Sequence, residues 1–402
     1  MRIRPALGLI LVVVIVALAV RIYQFRSAPR TAPRLLGSVE WTRSLGDPTG
    51  YYTSSVLGPD GTLYVANIGG SVYAIDSTGG ALWQYHTGPT DSIAGGLVMD
   101  ERGNLYYGTL SKEYSLDKKG LKRWEASCAG RKDYTDDQGA AIDGTILYAE
   151  CGNDFVAFDK DHGTQIWQQP GMDRHTAPVV TESGTVVTVR QNRIVASDGN
   201  GSTLWTFPPP EYVPITPGPE MVLTAVALRP DGYIVAADVL SNSVVALDPQ
   251  GAGKQISIVP KPTPFDSSPA IAPDGSVYVV TRTSVLYAFS PDWSSKWAHP
   301  LSRVVHVGLH AAPTIGDDGT VYVLSEQTAY AFSPDGTLQW QTSLPGPAGG
   351  SPSLGPDGLL YVATLDGQVC ALQTASRGLA QKGWPKYQHD SANSGRAAGS
   401  SR

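Results

Sequence analysis

A turn glycine comes back along this chain at a nearly constant stride, and no other feature restricts the possible folds as much. It stands at Gly61, Gly103, Gly144, Gly184, Gly232, Gly275, Gly319 and Gly358, with gaps of 42, 41, 40, 48, 43, 44 and 39 residues. Ser54 to Thr87, SSVLGPDGTLYVANIGGSVYAIDSTGGALWQYHT, shows what is repeated. Ser55 to Leu57 is a short apolar strand, and Pro59-Asp60-Gly61 turns it, because proline presets φ and glycine accepts a positive φ. Thr62 to Ala66 alternates as a second strand, Ser71 to Ile75 forms a third, and Ala81 to Tyr85 forms a fourth with Trp83 at its centre. Four short strands in ~40 to 45 residues is the period of a propeller blade. A lone meander leaves both faces bare, so the copies must cover one another.

The second landmark is an alanine followed nine or ten residues later by tryptophan: Ala74 and Trp83, Ala157 and Trp167, Ala196 and Trp205, Ala288 and Trp297, Ala331 and Trp340, with Ser115 and Trp124 in the second copy. This A-x-D-x-x-(T)-G-x-x-x-W pattern resembles the tryptophan-docking motif of the pyrroloquinoline-quinone-like propellers over roughly residues 38–395. That family contains quinone dehydrogenases and non-enzymatic scaffolds, and the resemblance implies a fold more than an activity. In the fifth copy Ile256 occupies the tryptophan position after Ala246-Leu247-Asp248, which marks that seam as the weakest.

Ser38 to Leu45 reads as a fourth strand with Trp41 in the docking slot, but no first three strands precede it. Ser351 to Gln373 supplies three strands and lacks the fourth. Placing the first strand in the last blade closes the ring and leaves no unpaired edge at the seam. The expected fold is therefore all-β: an eight-bladed propeller of four-stranded antiparallel blades over residues 38–375, docked by Trp41, Trp83, Trp124, Trp167, Trp205, Trp297 and Trp340. After it, GWPKYQHDSANSGR in residues 376–395 resembles a segment flanking the blades in bacterial relatives. It is expected to act as a clasp, with Trp384 and Tyr387 plugged against the ring, Asp390 and Asn393 in turns, and 396–402 a tail.

The first 34 residues are a different material. Arg2 and Arg4 precede the uncharged apolar run Ala6 to Val20, and Arg21, Arg26, Arg30 and Arg34 follow it. Two readings of residues 1–25 stay open: a secretory signal with Ala17-Leu18-Ala19 as a cleavage site, or an uncleaved hydrophobic helix acting as a signal anchor, lengthened by Ile22, Tyr23 and Phe25. We favour the anchor, with 26–37 as a linker. No cysteine follows the run, so attachment by a lipid-bearing cysteine is excluded. The flanking arginines favour the opposite orientation by the positive-inside rule, whereas the cysteines favour export.

Forty-four glycines, thirty prolines and nineteen tyrosines suit many turns and strands, and beyond the first 25 residues no helical periodicity is sustained. A net charge of -6 gives no reason to invoke nucleic acid.

In a propeller, the links from fourth strand to next blade and from second to third strand share one face. Here those links carry the long insertions Ala126 to Gln138, Phe207 to Met221 and His299 to His310, so binding is assigned to that face. Its dispersed side chains Arg131, Tyr134, Arg174, His175, Arg303 and His306 are the candidate ligand contacts, for an acidic or carbohydrate group. Cys128 and Cys151 fall on the same face in adjacent blades and are expected to form a disulfide, which persists only in an oxidising compartment. Cys370, beside Ala371 and Leu372 in a strand, is expected to be a buried thiol.

No catalytic or metal motif is convincing. His306 and His310 lie four apart in a loop, where that spacing does not place them on one helical face. Asp159-x-Asp161-x-Gly163 opens like a calcium loop, but no glutamate closes it six residues on. The quinone-binding relatives carry adjacent cysteines, a calcium site and a catalytic aspartate, and none of these can be matched here. The chain is closer to the scaffold branch, which includes the propeller lipoprotein of outer-membrane barrel assembly. The expectation is a monomeric, membrane-anchored extracytoplasmic propeller that binds a protein partner or cell-envelope ligand, without catalysis or cofactor. The alternatives are a quinoprotein oxidoreductase using pyrroloquinoline quinone with calcium, and a sensor of sugars or cell-wall fragments.

Overall fold

The computed structural model describes residues 35–46, 54–88, 91–128, 139–171, 176–208, 223–238, 243–257, 265, 267–302 and 312–397. Contacts divide the chain into Met1–Leu35 and Leu36–Arg402, and every described strand belongs to the second unit. The expected amino-terminal helix lies outside the described residues. Among the described residues no helix is long and apolar enough to cross a membrane.

The described strands form eight four-stranded antiparallel sheets. Their short inner strands, in blade order 1 to 8, are Val56–Leu57, Val98–Met99, Ala141–Asp143, Val179–Val180, Ala227–Leu228, Ala270–Ile271, Thr314–Ile315 and Ser353–Leu354. Blade 8 takes its outer strand from the start of the propeller: Val39–Ser44 pairs antiparallel with Gln368–Gln373, setting Trp41 opposite Ala371 and Arg43 opposite Val369. The Trp41 ring lies 6.0 Å from that of Tyr361, so the first and last strands of the propeller share one sheet.

The repeated alanine and tryptophan are direct cross-strand partners, as in Ala74 opposite Trp83, and a bulge follows the pair. The indole then reaches across the seam. Trp83 donates its ring N–H to the Lys118 carbonyl at 3.0 Å, and its ring rests on the following turn at Gly120, where φ is +80° and a Cβ would lie 2.7 Å from the indole. Trp41, Trp124, Trp167, Trp205 and Trp297 do the same against the turns of Gly79, Gly163, Gly201, Gly251 and Gly336. Trp340 rests on Gly37. Only a side-chain-free residue leaves room for the ring and also accepts the left-handed backbone.

Blade 5 corrects the sequence reading. No bulge interrupts its outer pairing, so Ala246 faces Lys254, and Ile256 instead faces Val244. The seam between blades 5 and 6 is filled from the other side. At the turn position held elsewhere by the docking glycine, blade 6 carries Trp293, with φ of +69°. Its ring packs against the core of blades 4 to 6, with the Arg229 guanidinium 5.9 Å away. A bulky residue at positive φ is an outlier that its surroundings must hold in place. Trp293→Gly is therefore expected to lower stability by about 2 to 3 kcal/mol despite relieving the backbone, since the lost contacts outweigh the gain. Urea denaturation measures it, and a stabilised variant would contradict the assignment.

Candidate functional site

On the long-loop face, Cys128 and Cys151 are joined by a disulfide, with Cα atoms 5.0 Å apart. Cys128 follows the outer strand of blade 2, its N–H donating to the Ser111 carbonyl at 2.9 Å, and Cys151 ends the second strand of blade 3. The bond thus crosses a blade seam and anchors the base of the 129–138 insertion. Asp91 is nearby, accepting from Ser111 Oγ at 3.0 Å and from the Tyr114 hydroxyl at 3.2 Å. Burial and then Asp91 push the Tyr114 hydroxyl well above its usual value. Replacing both cysteines by alanine is expected to lower stability by about 3 kcal/mol, the magnitude typical of a loop this long. An unchanged thermal midpoint would contradict it. The candidate contacts Arg131, Tyr134, Arg174, His175, Arg303 and His306 lie outside the described residues.

The calcium-like loop is a turn. Asp159 Oδ1 accepts from the N–H groups of Asp161 and His162 at 3.0 and 2.9 Å, while Asp161 pairs with Arg123 at 2.9 Å. Cys370 is a buried free thiol, pushed up to about 12 by burial.

The most developed site is at the hub, on the short-turn side. An inner strand has its second strand on one edge and nothing on the edge facing the ring axis, so its outward N–H needs a partner. The carboxy-terminal segment supplies one to six blades. The N–H groups of Leu57, Met99, Ile142 and Val180 in blades 1 to 4 donate to the carbonyls of Ser391, Ala392, Ser394 and Gly395 at 2.7, 2.9, 2.9 and 2.7 Å. Those of Ile271 and Ile315 in blades 6 and 7 donate to Trp384 and Pro385 at 2.8 and 2.7 Å. Pairing continues past Gly395, where the sequence marks the start of a tail: Ala397 N donates to the Val180 carbonyl at 2.8 Å, and Arg396 pairs with Asp143 at 3.1 Å.

The residues that turn this segment also fill the axis. Gln388 and His389 have φ of +58° and +76°, reversing the chain between its two runs. Asp390 Oδ1 then accepts from the N–H groups of Ala392 and Ser394 at 3.0 and 2.9 Å. Trp384 is buried in the core of blades 4 to 6, and Tyr387 is buried among Ala177, Ala225 and Ala312, just before three inner strands. Asn393 Nδ2 donates to the carbonyls of Leu97, Ser54 and Ser55 at 3.1, 3.3 and 3.4 Å, and the fully buried Lys386 reaches the Ser55 carbonyl and Asn393. Sequence reading placed the tryptophan, tyrosine, aspartate and asparagine, but not Lys386, whose position inside the same motif was the available signal.

Between this segment and the short turns lies a cavity of about 1000 Å³, open on one side. Leu57, Met99, Ile142 and Leu354 form its apolar floor, and Arg377, Glu101, His389 and Arg396 are among the polar groups around it. Burial holds the His389 imidazole below its ordinary value against the opposing pull of Asp390, and the ring lies 4.7 Å from that of Trp384. Sequence reading had put binding on the opposite face and missed this cavity, because pairing through backbone carbonyls leaves no side-chain signature.

Comparison with solved structures gives the same architecture. BamB from Moraxella catarrhalis superposes with a TM-score of 0.65 at 19% identity, over 84% of this chain and 100% of that one. The computationally designed Ika8 protein gives 0.64 at 12% identity, over 82% and 98%. The quinohemoprotein alcohol dehydrogenase ADHIIG from Pseudomonas putida HK5 gives 0.64 at 14%, over 86% and 77%. At these identities the likeness shows the fold alone. No curated protein sequence matches the chain. The family model described as outer membrane protein assembly factor BamB matches residues 114–291 and 282–398. The chain thus belongs to the pyrroloquinoline-quinone-like propeller family in its BamB-type branch.

Proposed function

We propose that this protein is a non-catalytic binding or assembly scaffold of the cell envelope, tethered to the membrane by residues 1–25 and exposed to an oxidising compartment. The observation that carries this reading is a ring whose hub is filled by the chain's own Lys386, Tyr387 and Asn393, so that the two faces are what it has to offer a partner. The disulfide supports an extracytoplasmic setting, because such a bond is rare where thiols are kept reduced. It also stiffens the base of a long insertion on the face to which sequence reading assigned binding, and a rigid base lowers the ordering cost of recognition. Family membership favours a protein partner over a small molecule.

The cysteines present do not fit the quinone site of the dehydrogenases. Cys128 and Cys151 are 23 residues apart and bonded across a seam, and Cys370 is buried in blade 8. Affinity purification of the full chain from native membranes, with identification of what accompanies it, tests the reading. A reproducible envelope-protein partner is expected. Absence of any partner, together with an absorbance shift and alcohol-dependent dye reduction on adding pyrroloquinoline quinone and calcium, would overturn it.

A further inference from the structure

The hub segment pairs with the inner strands of blades 1 to 4, 6 and 7, and leaves out blades 5 and 8. In blade 8 the equivalent group is the Leu354 N–H. Leu354 faces Leu360 as Leu57 faces Leu63, and Gly355 N donates to the Leu359 carbonyl as Gly58 N does to Thr62. The Leu57 N–H takes the Ser391 carbonyl, whereas the Leu354 N–H has no partner among the described residues and Leu354 lines the cavity. An inner-strand N–H that the hub segment leaves uncovered is a donor free to take an acceptor from outside the chain.

The carboxylates that line the cavity are already engaged, Asp100 and Glu101 with Lys160 and Asp390 with the N–H groups of Ala392 and Ser394, and two other groups point to what that acceptor belongs to. Arg377 lines the cavity and is exposed, and its guanidinium forms no ion pair among the described residues. By contrast, the neighbouring Arg396 is already paired with Asp143. His389 also lines the cavity, nine-tenths buried, with Nδ1 making no hydrogen bond and lying 3.9 Å from Asp390. The floor of Leu57, Met99, Ile142 and Leu354 is apolar.

We infer that this cavity is a docking site for an extended, acidic peptide segment of a partner protein, whose backbone carbonyl takes the Leu354 N–H and whose carboxylate pairs with Arg377. The mode is the one the chain already uses on itself: an extended strand laid across inner-strand edges, carbonyls toward their N–H groups, as Ser391 to Gly395 do along blades 1 to 4. A cavity of this size suits a few residues of such a strand. The inference rests on the scaffold reading and adds a second, opposite face to it.

Fluorescence anisotropy of the full chain in detergent, with two labelled pools of valine- and threonine-rich hexapeptides carrying either Asp and Glu or Lys at fixed positions, tests it. The acidic pool is expected to bind at least about tenfold tighter than the basic pool. Arg377→Glu should weaken the acidic pool about tenfold, the effect of losing a charge-assisted bond. Leu354→Pro, which removes the N–H but also replaces a leucine that is 1% exposed in the core, should weaken binding several-fold, and a lowered thermal midpoint leaves the decision to Arg377→Glu. Equal binding of the two pools, indifference to Arg377→Glu, or no binding up to about millimolar chain would overturn the site. If Leu354→Pro fails to fold, Arg377→Glu alone decides. Failure of the peptide pools while envelope proteins still co-purify defeats this site and leaves the scaffold reading standing.

Discussion

Removal of residues 376–402 is expected to abolish the cooperative thermal transition of the propeller. The segment accepts hydrogen bonds from six inner-strand amides, each contributing about 0.5 to 1.5 kcal/mol net. It also buries Trp384 and Tyr387, and truncating a buried aromatic costs about 3 to 5 kcal/mol. The sum is on the order of 10 kcal/mol, similar to the entire stability of a typical domain at about 5 to 15 kcal/mol. A graded version avoids relying on an unfolded chain: Trp384→Ala alone should cost about 3 to 5 kcal/mol. Differential scanning calorimetry reads both. A truncated chain melting within a few degrees of the intact one would mean that the blades close without their hub.

The second large effect is expected at Trp124, the most deeply buried of the docking tryptophans, with 8% of its surface exposed. Its indole lies 5.9 Å from the Tyr106 ring and 6.4 Å from Phe158, and donates to the Lys160 carbonyl at 2.9 Å. The same seam holds the buried Lys160 ammonium, 3.0 Å from Glu101 and 3.8 Å from Asp100. Burial alone would raise the Asp100 carboxyl, but the side chain and N–H of Asn104, the Tyr106 hydroxyl and Lys160 outweigh it and hold the group below its usual range. Trp124→Ala should therefore cost about 3 to 5 kcal/mol. Trp205→Ala, where the indole is only partly buried and its bond is longer at 3.2 Å, should cost at least about 1 kcal/mol less. Equal costs would show that the indoles act independently of their seams.

The fold was legible because its signals sit in side chains that repeat. The turn glycines and tryptophans are visible one copy at a time, and Trp41 without its first three strands implied closure through blade 8. The hub was only half legible. Trp384, Tyr387, Asp390 and Asn393 form a readable motif, but the pairing of Leu57 with Ser391 or Val180 with Gly395 runs through backbone atoms that any residue supplies. Blade 5 misled for a related reason: whether a bulge follows Ala246 decides which residue faces it, and a bulge is a property of backbone register. Trp293 was missed because its meaning depends on the tryptophan absent from the preceding blade. The sign to look for was a tryptophan four residues before Trp297, where the other copies carry glycine.

Site-resolved hydrogen exchange at the inner-strand amides tests the hub most directly. The N–H groups of Leu57, Met99, Ile142, Val180, Ile271 and Ile315 should be protected to near the global stability of the domain, with Leu354 exchanging orders of magnitude faster in the same molecule. Leu354 exchanging as slowly as Leu57, or Leu57 as fast as Leu354, would contradict a hub that serves six blades and leaves blade 8 open.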